Sequence, residues 1–242
     1  MHILIINPNA SIPMTRSVEA TARRVCAADT TISACCPSES PLSIEGHSDG
    51  ALGTYHMLQL VERREPADGY VVACFDDTGV DALRERVAGP ILGIGEAAMH
   101  AATMLACRFT ILTTLERSVP ILEDNARRYG LDVRCRGIHA ANLPVLALED
   151  EQDDRAFSVV SEAASELLLK DRSDALVLGC AGMTHLTQRL SDKLGVPVID
   201  GVPTAVKFVE SLIGLGLQTA KTGGYAYPRE KTSSHCKGDH HV

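Results

Sequence analysis

The chain has 242 residues, 45% of them apolar, and a formal charge of -8. That length buries a substantial core, in one domain or in two compact halves, and two halves are expected. The acidic balance, without clustered Lys and Arg, excludes an electrostatic nucleic-acid surface and leaves a small neutral or anionic molecule as the expected ligand.

In chain order, strand-like and helix-like segments alternate. The opening "MHILIINPNAS" is too short for a signal peptide and lacks its basic flank. No apolar run approaches the roughly 20 residues needed to span a bilayer. No membrane partner and a cytoplasmic location are therefore expected. "ILII" is a short strand, after which Met14, Val18, Thr21, Ala22 and Val25 recur at helical spacing with Ser11 placed to cap the start. A strand over 30–34 leads through a Pro- and Ser-rich loop to a helix over 50–64. Then come a strand over 69–74, a short helix over 81–87, the strand "PILGI" and a helix over 96–106.

The pattern then begins again. "RFTILTT" predicts a strand, 119–129 a helix closed by Gly130, and "DVRCRGIHA" another strand. Phe157, Val160, Ala164, Leu167 and Leu168 mark a long helix, followed by the strand "DALVLGC", a helix over 186–194, the strand "PVID" and a last helix over 206–215. Such alternation predicts an α/β fold with parallel sheets covered on both faces. The expected architecture is two similar halves, each a parallel sheet flanked by helices, related by pseudo-two-fold symmetry about a cleft. The first half is taken as 1–98 plus 206–242 and the second as 99–205.

Eight cysteines without a secretory leader read as reduced thiols rather than a disulfide framework. Cys26, Cys35, Cys36, Cys107 and Cys135 are scattered or adjacent and read as ordinary thiols. Cys236, with His235, Asp239, His240 and His241, lies in a polar tail that lacks a scaffold for a metal, and no metal site is assigned. Cys74 and Cys180 are different. Each ends an apolar strand, in "VVACFDDTG" and "ALVLGCAGM", and each lies 67 residues after the end of its half's first strand (74 − 7 and 180 − 113). The match suggests a weak internal duplication. Ligands of parallel α/β sheets bind beyond the carboxyl ends of strands, so two facing halves would set these thiols across one cleft.

A thiolate and a thiol on opposite sides of a chiral carbon suit removal of a proton from one face and delivery to the other. An ordinary thiol titrates near about 8.5, and the helices expected after each cysteine are the anticipated source of help in ionising one. Asn9, in the loop after the first strand, is a candidate donor to a substrate carbonyl on which negative charge develops. Asn7 reads more naturally as fixing the turn at Pro8. Thr113 and Thr114 end the corresponding strand of the second half, and Thr114 is the better ligand candidate. Asp77 and Thr78 are candidates for substrate binding, with a helix cap as the equal alternative. Gly182 either admits substrate close to the backbone or serves only a turn, and His185 reads as a helix-surface histidine. With four Phe, five Tyr and no Trp, an aliphatic and methionine lining is expected.

One rival motif points elsewhere. Gly93-x-Gly95-x-x-Ala98 follows a strand, with Glu116 about 20 residues on, as in a dinucleotide fingerprint. It sits mid-chain and leaves both strand-end cysteines unexplained. A nicotinamide-dependent oxidoreductase is thus the alternative of a different class, and a non-catalytic ureide-binding protein a third.

Taken together, "INPNAS", "ACFDDTG", "GIGEAAMHAA", "TTLERSVPILED", "VLGCAGM" and the segment around "PVIDGV" resemble the aspartate/glutamate/hydantoin racemase superfamily, and within it the hydantoin racemases, over nearly the whole chain. The resemblance implies a cofactor-independent two-base racemase of two pseudo-symmetric halves, often a homo-oligomer, with the family's cysteine pair on Cys74 and Cys180. Glutamate racemases carry Asn-Thr after the first cysteine and Thr-His after the second. Here the second pair is Ala181-Gly182 and the first is absent, which favours a cyclic ureide over an amino acid and brings Ala181 into the candidate site. The expected activity is racemisation of 5-monosubstituted hydantoins without a cofactor, with allantoin as the alternative substrate.

Overall fold

Residues 1–145 and 154–229 are described by the computed structural model of the chain; the expectations for Cys236 and its neighbouring histidines lie outside them. The first sheet contains β1 (His2–Ile6), β2 (Thr31–Cys35), β3 (Gly69–Val72) and β4 (Ile91–Gly93). The second contains β5 (Phe109–Thr113), β6 (Cys135–Ala140), β7 (Ala175–Leu178) and β8 (Val198–Ile199). The strand orders are β2-β1-β3-β4 and β6-β5-β7-β8, and every pairing is parallel.

The helices are α1 (Ile12–Val25), α2 (His47–Glu62), α3 (Val80–Arg86), α4 (Ile94–Leu105), α5 (Val119–Arg128), α6 (Asp154–Asp171), α7 (Thr187–Leu194) and α8 (Gly201–Gly214). Parallel strands need both faces covered, which is why β1, β3, β5 and β7 are nearly continuous apolar runs. Alternate side chains then serve different cores. Ile3, Ile5, Val71, Phe109, Ile111, Ala175 and Val177 share one central core with α4 and α8 residues such as Ala98, Ala102, Val202 and Val206. Leu4, Ile6, Tyr70 and Val72 pack outward with Met57 and Leu83, while Leu112, Leu176 and Leu178 pack outward with Val160 and Leu190. Two sheets therefore enclose a middle layer of helices that belongs to both. The position between residues 98 and 99 falls inside α4, a helix that contacts β4 of the first sheet and β7 and β8 of the second.

The internal duplication is visible in the register. β1 pairs with β3 through Ile6 and Val72, and β5 pairs with β7 through Leu112 and Leu178. These counterparts are 106 positions apart, as are the two cysteines (112 − 6, 178 − 72 and 180 − 74). The backbone hydrogen bonds beyond them correspond too, Ala73 N–H to Ile6 carbonyl at 2.8 Å and Gly179 N–H to Leu112 carbonyl at 2.9 Å.

One element differs clearly from expectation. The last helix begins at Gly201 rather than at 206, because Asp200 caps it by accepting from Val202 N–H at 3.0 Å and because Pro203 is tolerated in a first turn. Gly201 is there for space: a Cβ would lie 2.3 Å from the Ile94 carbonyl oxygen, where α8 crosses the start of α4.

Candidate active site

The carboxyl ends of β1, β3, β5 and β7 open on one cavity of about 380 Å³, part of it continuous with solvent, lined by Asn9, Cys74, Asp76, Thr113, Thr114, Cys180 and Ala181 among others. Both thiols thus meet in a single cleft, one from each half, and each keeps partial exposure. The apolar lining is Met14, Ile44, Ala73, Val145 and Phe75, aliphatic and methionine as expected, with one aromatic added. No Lys or Arg is among the described lining residues.

The amino-terminal half supplies a rigid donor. Asn7 donates through Nδ2 to Asn9 Oδ1 at 2.7 Å and to Thr15 Oγ1 at 3.0 Å, holding the loop between β1 and α1. Asn9 Oδ1 also accepts the Ser11 backbone N–H at 2.9 Å. A backbone N–H can only donate, so the oxygen of this amide is identified and its Nδ2 is left with a weak contact to Met14 Sδ at 3.4 Å. Asn9 therefore offers an N–H to the cleft. On the facing half, Thr113 Oγ1 donates to the Gly179 carbonyl at 2.9 Å, which fixes the backbone immediately before Cys180.

The two thiols have different company. Cys74 Sγ lies 3.4 Å from Thr78 Oγ1, within a turn closed by Asp77 N–H to the Cys74 carbonyl at 3.0 Å. Cys180 caps a short 3-10 helix (Ala181–Leu186), its Sγ accepting the Gly182 N–H at 3.4 Å. Burial pushes both thiols up, Cys180 to about 12 and Cys74 well above the ordinary thiol range. The Asp76 carboxylate adds to the push on both, and Asp77 adds to it on Cys74. The expected lowering by following helices is therefore corrected: α3 starts only at Val80, after an uncapped Gly79, and desolvation outweighs the donors present. A thiolate in this cleft is costly to form and, once formed, strongly basic.

Asp77 is turned away from the cleft. Its carboxylate accepts the Gly95 N–H at 2.9 Å, the Glu96 N–H at 2.7 Å and the Tyr129 hydroxyl at 2.7 Å, so of its two expected roles the geometry matches the helix cap, of α4 rather than α3. This also answers the dinucleotide motif. A Cβ at Gly93 would lie 1.8 Å from Asp77 Oδ1, so the protein's own carboxylate fills the place at the helix start where a pyrophosphate would sit. Thr78 reaches the Cys74 thiol and Gly182 the Cys180 thiol, but neither of these two residues lines the cavity itself; Thr114 and Ala181 do. His185 is half-buried in the short helix and outside the lining.

Sequence reasoning missed Asp76, Ser118, Ile44 and Val145, all in the lining. Ile44 and Val145 lie on connections and Ser118 ends a three-residue 3-10 helix (Glu116–Ser118), all too short for periodicity to mark a residue as facing inward. Asp76 stood beside Asp77, and only the turn decides which of two adjacent acids faces the cleft.

Two half-domains that bring the carboxyl ends of parallel strands, with a cysteine from each, to one shared cleft define a class of two-half α/β proteins with a ligand site between the halves. A family model described as Asp/Glu/Hydantoin racemase matches residues 3–209. The chain belongs to this family and is an isomerase, a racemase. It is 45% identical to a hydantoin racemase of Rhizobium meliloti over 97% of this chain and 98% of that protein. It is 44% identical to a hydantoin racemase of Paenarthrobacter aurescens, over 96% of this chain and 99% of that one. Among solved structures, allantoin racemase from Klebsiella pneumoniae superposes with a TM-score of 0.92 at 47% identity, over 97% of this chain and 96% of the other.

Proposed function

We propose that the protein racemises 5-monosubstituted hydantoins without a cofactor, with Cys74 and Cys180 as the two proton-transfer groups. The observation that carries this reading is that both thiols line one cleft from topologically equivalent strand ends. The C5 hydrogen of a hydantoin lies between a carbonyl and a ring nitrogen. Its removal gives a planar enolate whose oxygen takes the charge, and Asn9 Nδ2 with nearby N–H groups is the proposed stabiliser. One cysteine takes the proton as thiolate while the other delivers its own as thiol, and the roles exchange for the opposite enantiomer. Desolvation favours the transfer once a thiolate exists, because a more basic sulfur is a better match for a carbon acid. A cleft without a lining cation suits an uncharged ring better than an amino-acid carboxylate.

Allantoin is the second reading, favoured by the 47% identity to the Klebsiella allantoin racemase, which stands beside 45% to a hydantoin racemase. A cytoplasmic location belongs to the same proposal, as does a homo-oligomer, the latter supported by exposed Met104, Leu105, Leu215 and Leu217 beyond or near the ends of α4 and α8. The test is deuterium uptake at C5 followed by NMR in heavy water, on each enantiomer of benzylhydantoin and of allantoin, with no cofactor added. Wild type should racemise both enantiomers of its substrate. Cys74→Ala and Cys180→Ala should each exchange only one enantiomer, and opposite ones. A variant that racemises at the wild-type rate, or both exchanging the same enantiomer, would refute the opposed pair. Allantoin turned over far faster than benzylhydantoin would transfer the assignment to allantoin.

A further inference from the structure

The cleft contains one group that the two-thiol chemistry does not use. Asp76 lines it together with the cysteines, and its Oδ2 is buried without a hydrogen-bond partner among the described residues. By contrast, Asn9 Oδ1, Thr113 Oγ1 and the Asp77 carboxylate at these strand ends are all paired. A buried carboxylate oxygen without a donor is costly, and such groups in native proteins call for an explanation. Nor is its position accidental. The turn after Cys74 is closed on itself, and the Asp76 carbonyl is tied across the two halves by Asn125 Nδ2 at 2.9 Å. Asp76 is therefore held at the cleft by a backbone anchored on both sides.

We propose that Asp76 accepts a hydrogen bond from a ring N–H of the substrate, and that its charge excludes ligands carrying a free carboxylate. The inference rests on the hydantoin reading and adds to it a specificity-determining residue. A cyclic ureide presents carbonyl acceptors and N–H donors around one small ring. Asn9 supplies a donor for the former, and Asp76 is the acidic acceptor in the described lining for the latter. An amino acid or a ring-opened carbamoyl amino acid would bring a second negative charge to a desolvated carboxylate with no lining cation to offset it, and like charges at short range in a dry site repel strongly. Burial raises the Asp76 carboxyl to about 7, in keeping with a group that lacks donors until a ligand brings one.

The experiment compares wild type, Asp76→Asn and Asp76→Ala on benzylhydantoin, its 1-methyl and 3-methyl derivatives, and the ring-opened N-carbamoyl phenylalanine as competitor. In wild type, methylating the contacted nitrogen should lower kcat/KM by about 10- to 100-fold, the range expected for a hydrogen bond to a charged group. Asp76→Ala should lower kcat/KM on the parent compound by a similar factor, mainly through KM, and should no longer distinguish it from that methyl derivative. The carbamoyl amino acid should inhibit Asp76→Asn at least about ten-fold more tightly than wild type, a difference that mere structural damage would not produce. Variants that keep the wild-type response to methylation, or wild type indifferent to both methylations, would overturn the Asp76 assignment while leaving the racemase reading intact. Wild type that racemises no hydantoin would overturn the substrate reading and this inference with it.

Discussion

The two strand ends that carry the cysteines are the same place in a duplicated fold, yet they are finished differently. At the 106-residue offset (182 − 76, 183 − 77 and 184 − 78), Asp76, Asp77 and Thr78 correspond to Gly182, Met183 and Thr184. In the first half, Asp77 leaves the turn after Cys74 to cap α4. In the second half, α8 is capped by its own Asp200, which also accepts from Thr184 Oγ1 at 3.2 Å. The third position after Cys180 is thereby free to be apolar, and Met183 there is fully buried. The neighbouring position diverges most. Asp76 and Gly182 each set a backbone N–H donor against the neighbouring thiol, but only Asp76 adds a carboxylate. Duplication thus placed two equivalent thiols, and the local turns made them electrostatically unequal: two carboxylates act on Cys74 and one on Cys180.

Deleting either thiol is the severest test of that pairing. Cys74→Ala and Cys180→Ala should each lower racemisation by at least about 10³-fold, measured by polarimetry on pure enantiomers. Asymmetry between them would then appear only in which enantiomer still exchanges.

Asp77 and Asp76 should separate next, since one is fully paired and the other is not. Asp77→Ala strands the Gly95 and Glu96 N–H groups and the Tyr129 hydroxyl, and it places alanine at φ 52°. A loss of about 2 to 4 kcal/mol in urea unfolding is expected. A neutral result would mean that α4 does not depend on this tertiary cap.

Thr78→Val removes the hydroxyl beside Cys74 and leaves Cys180 untouched. Exchange of the enantiomer served by Cys74 should fall by about ten-fold, the worth of one modest hydrogen bond. Exchange of the other enantiomer should hardly change, and equal losses on both would show that the thiols are not separable in this way.

The smallest effect is on stability against pH. Burial raises the Asp76 carboxyl to about 7, so between about pH 4 and 7 the folded chain retains a proton that the unfolded chain has released. Its contribution is therefore complete below the unfolded value and is lost as pH rises through the folded one. Asp76→Asn should match wild type most closely near pH 4 and exceed it by about 1 to 2 kcal/mol at pH 8, discounted for solvent in the open cleft. A constant difference across that range, in denaturant titrations, would show that Asp76 is not the group responsible.

Much of this was legible in the residues alone. Continuous apolar runs such as "YVV" and "ALVL" between helical periods determine parallel strands, because only a sheet covered on both faces needs them, and Ser11 marks the start of α1 as its cap. A cysteine closing two such strands at the same spacing determined where to look for chemistry, since strand ends are where α/β ligands bind. Turn geometry was not legible. Nothing in "FDDTG" tells which carboxylate enters the cleft and which caps a helix 18 residues on, since a backbone turn aims neighbouring side chains differently and the cap's donors come from a distant segment. The glycines of "GIGEAA" and Gly201 could be understood only with their neighbours present, as spaces occupied by Asp77 and by the crossing of α8 over α4. The acidity of the thiols was likewise decided in three dimensions, because desolvation depends on what closes over a sulfur and not on the residues that flank it in the chain.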